Sequence, residues 1–274
     1  MTEHVSHRAR VALLRAELKR RKLTAFFVPR ADEFQGEYVA AYAERLRWLT
    51  NFRGSAGVAI VTLKTASIFV DGRYVIQVRQ QVDEKIFAPF HLIEVPPTTW
   101  IAQHLKKGDR LGFDPWLVTA EQAKRFQQAC ESVGARFVPV DSNPIDAVWE
   151  DQPARPCEPL AVQPLSCAGK SAADKIADLR KALGENDAVV LTQPDSVSWL
   201  FNLRGFDVPH TPVVAAYAIV PKRGKPELFI AAEKITREVK AHLAKVATTR
   251  APDEIETALK ALGKARARVL IDPA

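Results

Sequence analysis

The heptapeptide WLTNFRG at Trp48–Gly54 occurs again, in closely similar form, as WLFNLRG at Trp199–Gly205. In both places it follows a helix-period stripe of apolar residues and then a short apolar run that is typical of a buried strand. The stripes are Val11, Leu14 and Leu18 in the first copy and Ile176, Leu179 and Leu183 in the second, and the runs are Ala25–Val28 and Ala188–Leu191. The shared order of helix, strand and motif predicts an internal duplication.

A second correspondence lies further along each copy. RLGFDP at Arg110–Pro115 is echoed by RVLIDP at Arg268–Pro273. The first copy then continues through another predicted helix and strand, whereas the second reaches the last residue, Ala274. We therefore expect the second domain to be incomplete at its C-terminus. We also expect the strand at 268–271 to be central in its sheet, because it is mostly apolar.

Strands and helices alternate along both copies, which predicts the α/β class. Apolar, β-branched runs at Val58–Leu63 and Ala66–Val70 follow the first motif, and helical segments separate the later strands. Between the copies, four prolines fall in a stretch without periodicity, as in an interdomain linker. The predicted organisation is a first domain at 1–152, a Pro-rich linker at 153–169 and a second domain at 170–274.

The composition is that of a globular protein, with 274 residues, 47% of them hydrophobic and 26% charged. The three cysteines, Cys130, Cys157 and Cys167, share no metal-type spacing and do not suggest a disulfide framework, which favours a reducing compartment. The N-terminus has no apolar segment of the secretory type, and no apolar run approaches the roughly 18 residues of a membrane span. We expect a cytoplasmic protein without membrane contact.

The formal net charge is +7, and its excess is concentrated in the first helix, where seven basic residues lie between Arg8 and Lys22. Such a cluster can bind nucleic acid or a membrane surface. Here the apolar stripe is narrow and no aromatic side chains are interleaved for stacking. A solvated outer helix face is the preferred interpretation, and no nucleic-acid partner is predicted.

Standard catalytic constellations are missing from the sequence. Its six histidines form no H-E-x-x-H pair, and there is no G-x-S-x-G elbow and no phosphate-binding glycine loop. The glycines of Gly54–Gly57 precede a strand rather than a helix, which favours a tight turn with close backbone packing. No catalytic residue, metal ligand or cofactor is predicted in this chain.

The two copies differ in the turn after their second predicted strand. The first copy has DGRY at Asp71–Tyr74, and the second has AAEK at Ala231–Lys234. What the scaffold needs is expected in both copies, so the DGRY turn is a candidate for another role. A further difference is the insertion Asp207–His210, found only in the second copy, for which a surface loop or an interdomain contact is possible.

Each residue of the DGRY turn has a physical use. Asp71 can cap the helix that follows, and Gly72 permits a positive φ. Arg73 would then be held at the domain's edge, where a fixed guanidinium suits a carboxylate or carbonyl ligand. The alternative is a structural salt bridge of Arg73 with Asp71 or Glu94. The residues themselves leave both interpretations open.

The duplicated WLxNxRG motif, unlike the DGRY turn, is present in both copies, as expected for residues that the scaffold needs. A structural role is the simplest account: a buried Trp48 or Trp199, an asparagine that satisfies turn amides and a glycine that closes the turn.

Taken together, several segments resemble the cytosolic, three-domain Xaa-Pro aminopeptidases of the creatinase and prolidase superfamily. These segments are Gly36–Tyr38, Gly54–Gly57, Asp71–Tyr74, Trp149–Pro156, Ala177–Arg180 and Ser198–Gly205. The resemblance covers almost the whole chain, but only the two N-terminal, creatinase-like domains of that family. It implies two tandem domains, each a mixed sheet flanked by helices, without the catalytic pita-bread domain.

The family resemblance also implies a function. The parent enzyme removes an N-terminal residue that precedes proline, with two divalent ions, expected to be manganese, held by the missing catalytic domain in cis. This chain would be inactive alone. It would gate the active site, contact substrate through Arg73 and support a homodimer. The alternative is a non-enzymatic binding module of the histone-chaperone type, which the tandem domains and the intact DGRY turn disfavour.

Overall fold

The computed structural model describes residues 6–272, and the chain divides into two compact units between Ala154 and Arg155. This boundary falls inside the predicted linker. From Arg155 onward the Pro-rich segment belongs to the second unit, where Leu160 is buried in the core and its N–H donates to the carbonyl of Lys234 over 2.9 Å.

The first unit is a mixed sheet flanked by helices. Its helices are α1 (His7–Arg20), α2 (Arg45–Thr50), α3 (Val75–Gln81), α4 (Pro97–His104) and α5 (Ala120–Glu131), with 3-10 turns at Ala41–Ala43 and Gly72–Tyr74. Its strands are β1 (Ala25–Pro29), β2 (Gly57–Thr62), β3 (Ala66–Val70), β4 (Ala88–His91), β5 (Arg110–Phe113) and β6 (Arg136–Pro139). They lie in the order β4-β3-β2-β1-β5-β6. Strand β2 is antiparallel to β1 and β3, and the other neighbours are parallel.

Both faces of this sheet are covered, and the pleat of each strand sorts its side chains between two cores. In β1, Phe26 and Val28 pack with residues of α1 and α2, whereas Ala25 and Phe27 pack with residues of α4 and α5. Because neither face meets water, β1 and β3 are buried throughout and read as continuous apolar runs.

The second unit repeats this architecture. Its helices are α6 (Leu165–Ala168), α7 (Ala172–Ala182), α8 (Pro194–Phe201), α9 (Arg237–Leu243) and α10 (Ile255–Lys264), with 3-10 turns at Ala232–Lys234 and Pro252–Glu254. Its strands are β7 (Ala161–Val162), β8 (Ala188–Leu191), β9 (Leu203–Arg204), β10 (Tyr217–Pro221), β11 (Glu227–Phe229), β12 (Thr248–Arg250) and β13 (Val269–Leu270). The main sheet has the order β12-β11-β10-β8-β13, and β7 pairs with β9 in a separate ribbon.

The predicted duplication is confirmed by the strand order and directions. Strands β12, β11, β10, β8 and β13 correspond to β4, β3, β2, β1 and β5, with the same parallel and antiparallel pairings. The first helices match as well, since the hydroxyls of Ser6 and Ser171 cap α1 and α7.

The predicted central position of the strand at 268–271 is wrong within the described part of the chain. Strand β13 lies at the edge of its sheet, paired only with β8. Val269 is half-buried and Leu270 is exposed at this edge, whereas the corresponding strand β5 lies between β1 and β6.

Candidate functional site

The DGRY turn forms at the carboxyl end of β3. Asp71 begins the 3-10 turn, and its Oδ1 accepts the N–H of Arg73 over 2.9 Å. The Arg73 side chain folds back onto the same carboxylate, with Nη2 at 2.6 Å and Nε at 3.0 Å from Oδ2. Asp71 therefore fixes both the backbone and the guanidinium of Arg73.

Gly72 serves this turn differently from what the sequence suggests. It lies outside the set of positive-φ glycines, so its backbone does not use the conformation expected for it. A Cβ at this position would lie 3.3 Å from Nε2 of His91. Gly72 thus allows the turn to approach β4 closely.

The charges of Asp71 and Arg73 offset each other, but the Arg73 guanidinium remains accessible to solvent. The hydrogen bond from Arg73 lowers the pKa of Asp71, and the same bond raises the pKa of Arg73. Of the two salt-bridge partners considered, the structure pairs Arg73 with Asp71. The Arg73 side chain is 64% exposed, and its Nη1 has no hydrogen-bond partner among residues 6–272. Donors thus remain for a carboxylate or carbonyl ligand.

Tyr74 ties this turn to the loop after the first WLTNFRG motif. Its hydroxyl lies 2.8 Å from Oγ of Ser55, which lowers the pKa of the phenol. Its ring meets Phe52 edge-on at 5.6 Å, and the Arg73 guanidinium carbon lies 5.2 Å from the ring centre. A Cβ on Gly54 would come within 2.3 Å of Phe52 and 2.9 Å of Tyr74. Gly54 therefore makes room for both rings.

The residues after the turn continue an exposed surface. Val75 and Ile76, the first residues of α3, are exposed despite being apolar. A fixed guanidinium next to apolar side chains can bind a ligand that carries both an oxygen acceptor and an apolar group.

The duplicated motif has a structural role at its asparagines. Asn51 and Asn202 have φ values of 67° and 50° and end α2 and α8 in the left-handed conformation. Each side-chain amide donates to a backbone carbonyl 2.9 Å away, rather than accepting from turn amides as predicted. Trp48 is 8% exposed, but Trp199 is 58% exposed, so the predicted burial is wrong for the second copy.

The insertion Asp207–His210 is anchored at one end. Asp207 forms an ion pair with Lys234, and both side chains are buried. His210 is exposed and has a φ of 61°. The sequence did not reveal this ion pair, because Asp207 lies in the insertion and Lys234 lies 27 residues further on, in the 3-10 turn Ala232–Lys234.

No group of three or more His, Cys, Asp or Glu residues that could hold a metal ion occurs in the part of the chain that the structure describes. The residues there do not fit a dinuclear metal centre. Across the same residues, no helix is long and apolar enough to cross a membrane.

Two family models, both described as the creatinase/prolidase N-terminal domain, match this chain over residues 10–148 and 151–274. The chain therefore belongs to the creatinase/prolidase N-terminal domain family and carries two tandem domains of that kind.

Similar proteins agree with this assignment. A probable Xaa-Pro aminopeptidase P of Coccidioides posadasii (strain C735) is 38% identical over 263 residues, which span 94% of this chain and 40% of the relative. The corresponding protein of Paracoccidioides brasiliensis (strain Pb03) is 38% identical over 267 residues, 96% of this chain and 43% of the relative. The chain thus spans less than half the length of these relatives, and it resembles the N-terminal part of Xaa-Pro aminopeptidase P proteins.

A solved structure with the same fold is that of an X-prolyl aminopeptidase from Caenorhabditis elegans, described as a cytosolic enzyme with a di-nuclear active site. Its TM-score is 0.90 at 28% identity, and the match covers 97% of this chain and 46% of that chain.

Proposed function

We propose that this chain is the non-catalytic N-terminal portion of a metal-dependent Xaa-Pro aminopeptidase, which removes the N-terminal residue preceding proline. The observation that carries the proposal is the Arg73 turn: an exposed guanidinium held by Asp71 in one domain of a duplicated pair. The corresponding turn of the second domain has the sequence AAEK, so the shared scaffold does not account for Arg73.

In this proposal the two domains gate the active site, and Arg73 contacts the peptide substrate. A catalytic domain in the same polypeptide holds two divalent ions, expected to be manganese. The residues described in this chain do not fit such a centre. The protein acts in the cytoplasm as a homodimer. Proteins similar to this chain that are described as Xaa-Pro aminopeptidases support the reaction class.

The proposed contact of Arg73 is a charge-assisted hydrogen bond from the free Nη1 to a carboxylate or carbonyl of the peptide. The bonds to Asp71 orient the guanidinium through Nε and Nη2 and leave its Nη1 open. A bond of this kind contributes about 1.5–3 kcal/mol.

The test of Arg73 is steady-state hydrolysis of an Xaa-Pro peptide by the product of the complete reading frame with added Mn²⁺. We expect Arg73→Ala to lower kcat/KM roughly 10- to 100-fold without a change in fold stability. Arg79→Ala is the matched control, because Arg79 is also 64% exposed and also ion-paired, in its case to Glu84. An effect of Arg73→Ala below about threefold, or equal to that of the control, would return Arg73 to a structural role.

The reaction itself is tested by comparing the 274-residue chain with the complete product on the same peptide. Activity only in the complete product would support an accessory N-terminal portion. Hydrolysis by the 274-residue chain would contradict the non-catalytic assignment. A complete product without activity would instead favour the non-enzymatic binding module.

A further inference from the structure

A cavity of about 370 Å³ is lined by residues from the start of α1, from α2 and from the segment after β6, all within the first unit. This volume lies in the range of small-ligand sites. The ionisable side chains on its wall are His7, Arg10, Glu44, Arg47 and Arg53. Three guanidinium groups and an imidazole thus share the cavity with one carboxylate.

The three guanidinium groups keep free donors. Nη1 of Arg10 donates to the carbonyl of Trp48 over 2.5 Å, whereas its Nη2 is accessible and has no partner among the described residues. Arg47 and Arg53 are exposed, and within residues 6–272 their side chains form neither an ion pair nor a hydrogen bond. All three can donate to a ligand without breaking an existing bond.

The carboxylate on the wall does not neutralise these groups. Glu44 lies 3.6 Å from Nη2 of Arg30, and the two side chains are only 20% and 9% exposed. Two further carboxylates, Asp83 and Asp151, interact with the basic residues of α1 but do not line the cavity. The cations on the wall outnumber its carboxylates, so the cavity favours an anion.

The aromatic part of the wall is small. Trp48 and Trp149 both line the cavity, but they stack on each other with ring centres 5.3 Å apart. The guanidinium carbon of Arg10 lies 5.0 Å from the ring centre of Trp48 as well. Because only 8% and 7% of the two tryptophans is exposed, they can contact no more than a compact apolar group of a ligand.

The scaffold does not account for Arg47. In the second copy of the motif, Ser198 stands at the corresponding position, directly before the tryptophan. Ser198 is buried, and its hydroxyl donates to the carbonyl of Pro194 and accepts the N–H of Val214, both over 2.7 Å. Arg47 instead points a free cation at the cavity, as expected for a ligand-binding residue.

The number of guanidinium groups indicates which anion fits. A phosphate monoester carries up to two negative charges and three strong acceptor oxygens, and guanidinium groups match its geometry. A monocarboxylate offers one charge and two oxygens, which leaves donors on the wall unused.

We propose that this cavity binds a small organic phosphate, with the phosphate group contacted by Arg10, Arg47 and Arg53 and a compact apolar group against the indoles. The site shares no residue with the Arg73 turn and does not depend on the proposed peptidase function.

The test is calorimetric titration of the 274-residue chain with phenyl phosphate in a phosphate-free buffer of low ionic strength. We expect saturable binding that inorganic phosphate inhibits competitively. Benzoate, which keeps the ring, should bind roughly tenfold more weakly because it lacks one charge and one acceptor oxygen. Added salt should weaken the binding of phenyl phosphate, because the charges lie partly in solvent.

Four variants locate the ligand. Arg47→Gln and Arg53→Gln should each weaken binding about fivefold or more, and both should fold normally because neither side chain is bonded within the described residues. Glu44→Gln should strengthen binding, because it removes the carboxylate from the wall. Arg8→Gln is the matched control: Arg8 is exposed in the first turn of α1 but does not line the cavity. It should change the affinity by less than about twofold.

Four outcomes would contradict the proposal. Absence of saturable phosphate binding excludes the site. An equal loss of affinity in Arg8→Gln and Arg47→Gln would mean that the net charge of +7 attracts anions without a defined site. An unchanged affinity in Glu44→Gln would place the ligand outside this cavity. Equal affinity for inorganic and phenyl phosphate would make the ligand a free phosphate ion and remove the contact with the indoles.

Discussion

Individual basic side chains of α1 are more structural than their clustering suggests. Arg10 and Arg15 donate to the backbone carbonyls of Trp48 and Thr62, and Arg21 donates to that of Ser142. These bonds join α1 to three other segments of the first unit. A solvated outer face, which the sequence favoured, therefore describes only part of this helix.

Glu17 is the carboxylate that organises the C-terminal half of α1. It is buried, accepts two hydrogen bonds from Arg20 at 2.6 and 2.7 Å, and accepts a third from Arg21 at 2.6 Å. These bonds, with that from Arg20 the largest cause, lower its pKa from 4.5 to about 2. A carboxylate with a depressed pKa stabilises the fold above its unfolded-state pKa, and that stabilisation is lost as the pH falls through the folded-state value.

We expect Glu17→Gln to lower the free energy of unfolding at pH 7 by about 1–2 kcal/mol, allowing for solvent screening of the exposed Arg20. Between pH 4.5 and 2, the wild type should lose stability more steeply than the variant, because only the wild type takes up the Glu17 proton. Urea titrations at pH 7 and pH 3 measure both effects. Glu84→Gln, in an exposed pair with Arg79, is the control and should cost at most about 0.5 kcal/mol. Parallel pH dependence of wild type and Glu17→Gln would contradict this account.

Elements buried on both sides could be predicted from the sequence, and short or polar ones could not. Strands β1 and β3 stand out because every residue is buried. Helices α2 and α8, with 6 and 8 residues, are too short to show a helical period, so the motif did not reveal that it ends a helix. Strand β12, Thr248–Arg250, lies at the edge of its sheet and has no apolar residue, so the hydrophobic pattern does not predict it.

The candidate site was only half predictable, for a related reason. The difference between DGRY and AAEK made Arg73 a candidate ligand-binding residue. The capping of its turn by Asp71 could also be predicted, because it depends only on neighbouring residues. The anchor between Tyr74 and Ser55 depends on two loops meeting at 2.8 Å, which spacing along the chain does not encode.

Asn51 stabilises the end of α2 in two ways that substitutions can separate. Its backbone adopts the left-handed conformation, and its side chain donates a hydrogen bond. Asn51→Ala places an alanine, which disfavours the left-handed conformation, at φ 67° and removes the hydrogen bond to the carbonyl of Gln81. We expect the free energy of unfolding to fall by about 1.5–3 kcal/mol. Asn51→Gly tolerates this φ and loses chiefly the hydrogen bond, about 0.5–1.5 kcal/mol. Chemical denaturation of the two variants measures the difference. Equal losses would show that the left-handed conformation contributes little.

At the scale of the whole molecule, the two units share a sheet order and a cation–tryptophan pair, which is Arg10 with Trp48 in the first unit and Lys175 with Trp199 in the second. Strand β6 and the segment after it, which cover Trp48 in the first unit, have no counterpart among the described residues of the second. Trp48 is 8% exposed because Trp149 stacks on it, whereas no ring among the described residues stacks on Trp199, so the burial of one tryptophan does not predict that of the other.

Both hydrophobic cores of the first unit consist only of residues before Ala154. A fragment of residues 1–154 should therefore fold alone with one cooperative thermal transition, followed by circular dichroism. A fragment of residues 1–140 should not, because it loses Ile145 and Trp149 from the core and leaves Arg45 without the carboxylate of Asp146, which accepts two bonds of 2.7 Å from this buried guanidinium.

Within the 1–154 fragment, Asp146→Ala keeps Ile145 and Trp149 in the core but removes the ion pair with Arg45 and the hydrogen bond from Gln152. We expect it to cost about 3–5 kcal/mol, since the buried Arg45 guanidinium loses its carboxylate partner. That cost corresponds to a fall in Tm of roughly 10 °C for a fragment of this size. The two fragments and the Asp146→Ala variant together distinguish core packing from ion pairing as the reason the segment after β6 is needed. Equal stability of the 1–140 and 1–154 fragments would mean that this segment only covers Trp48, and a shallow, non-cooperative transition of the 1–154 fragment would mean that the first unit cannot fold by itself.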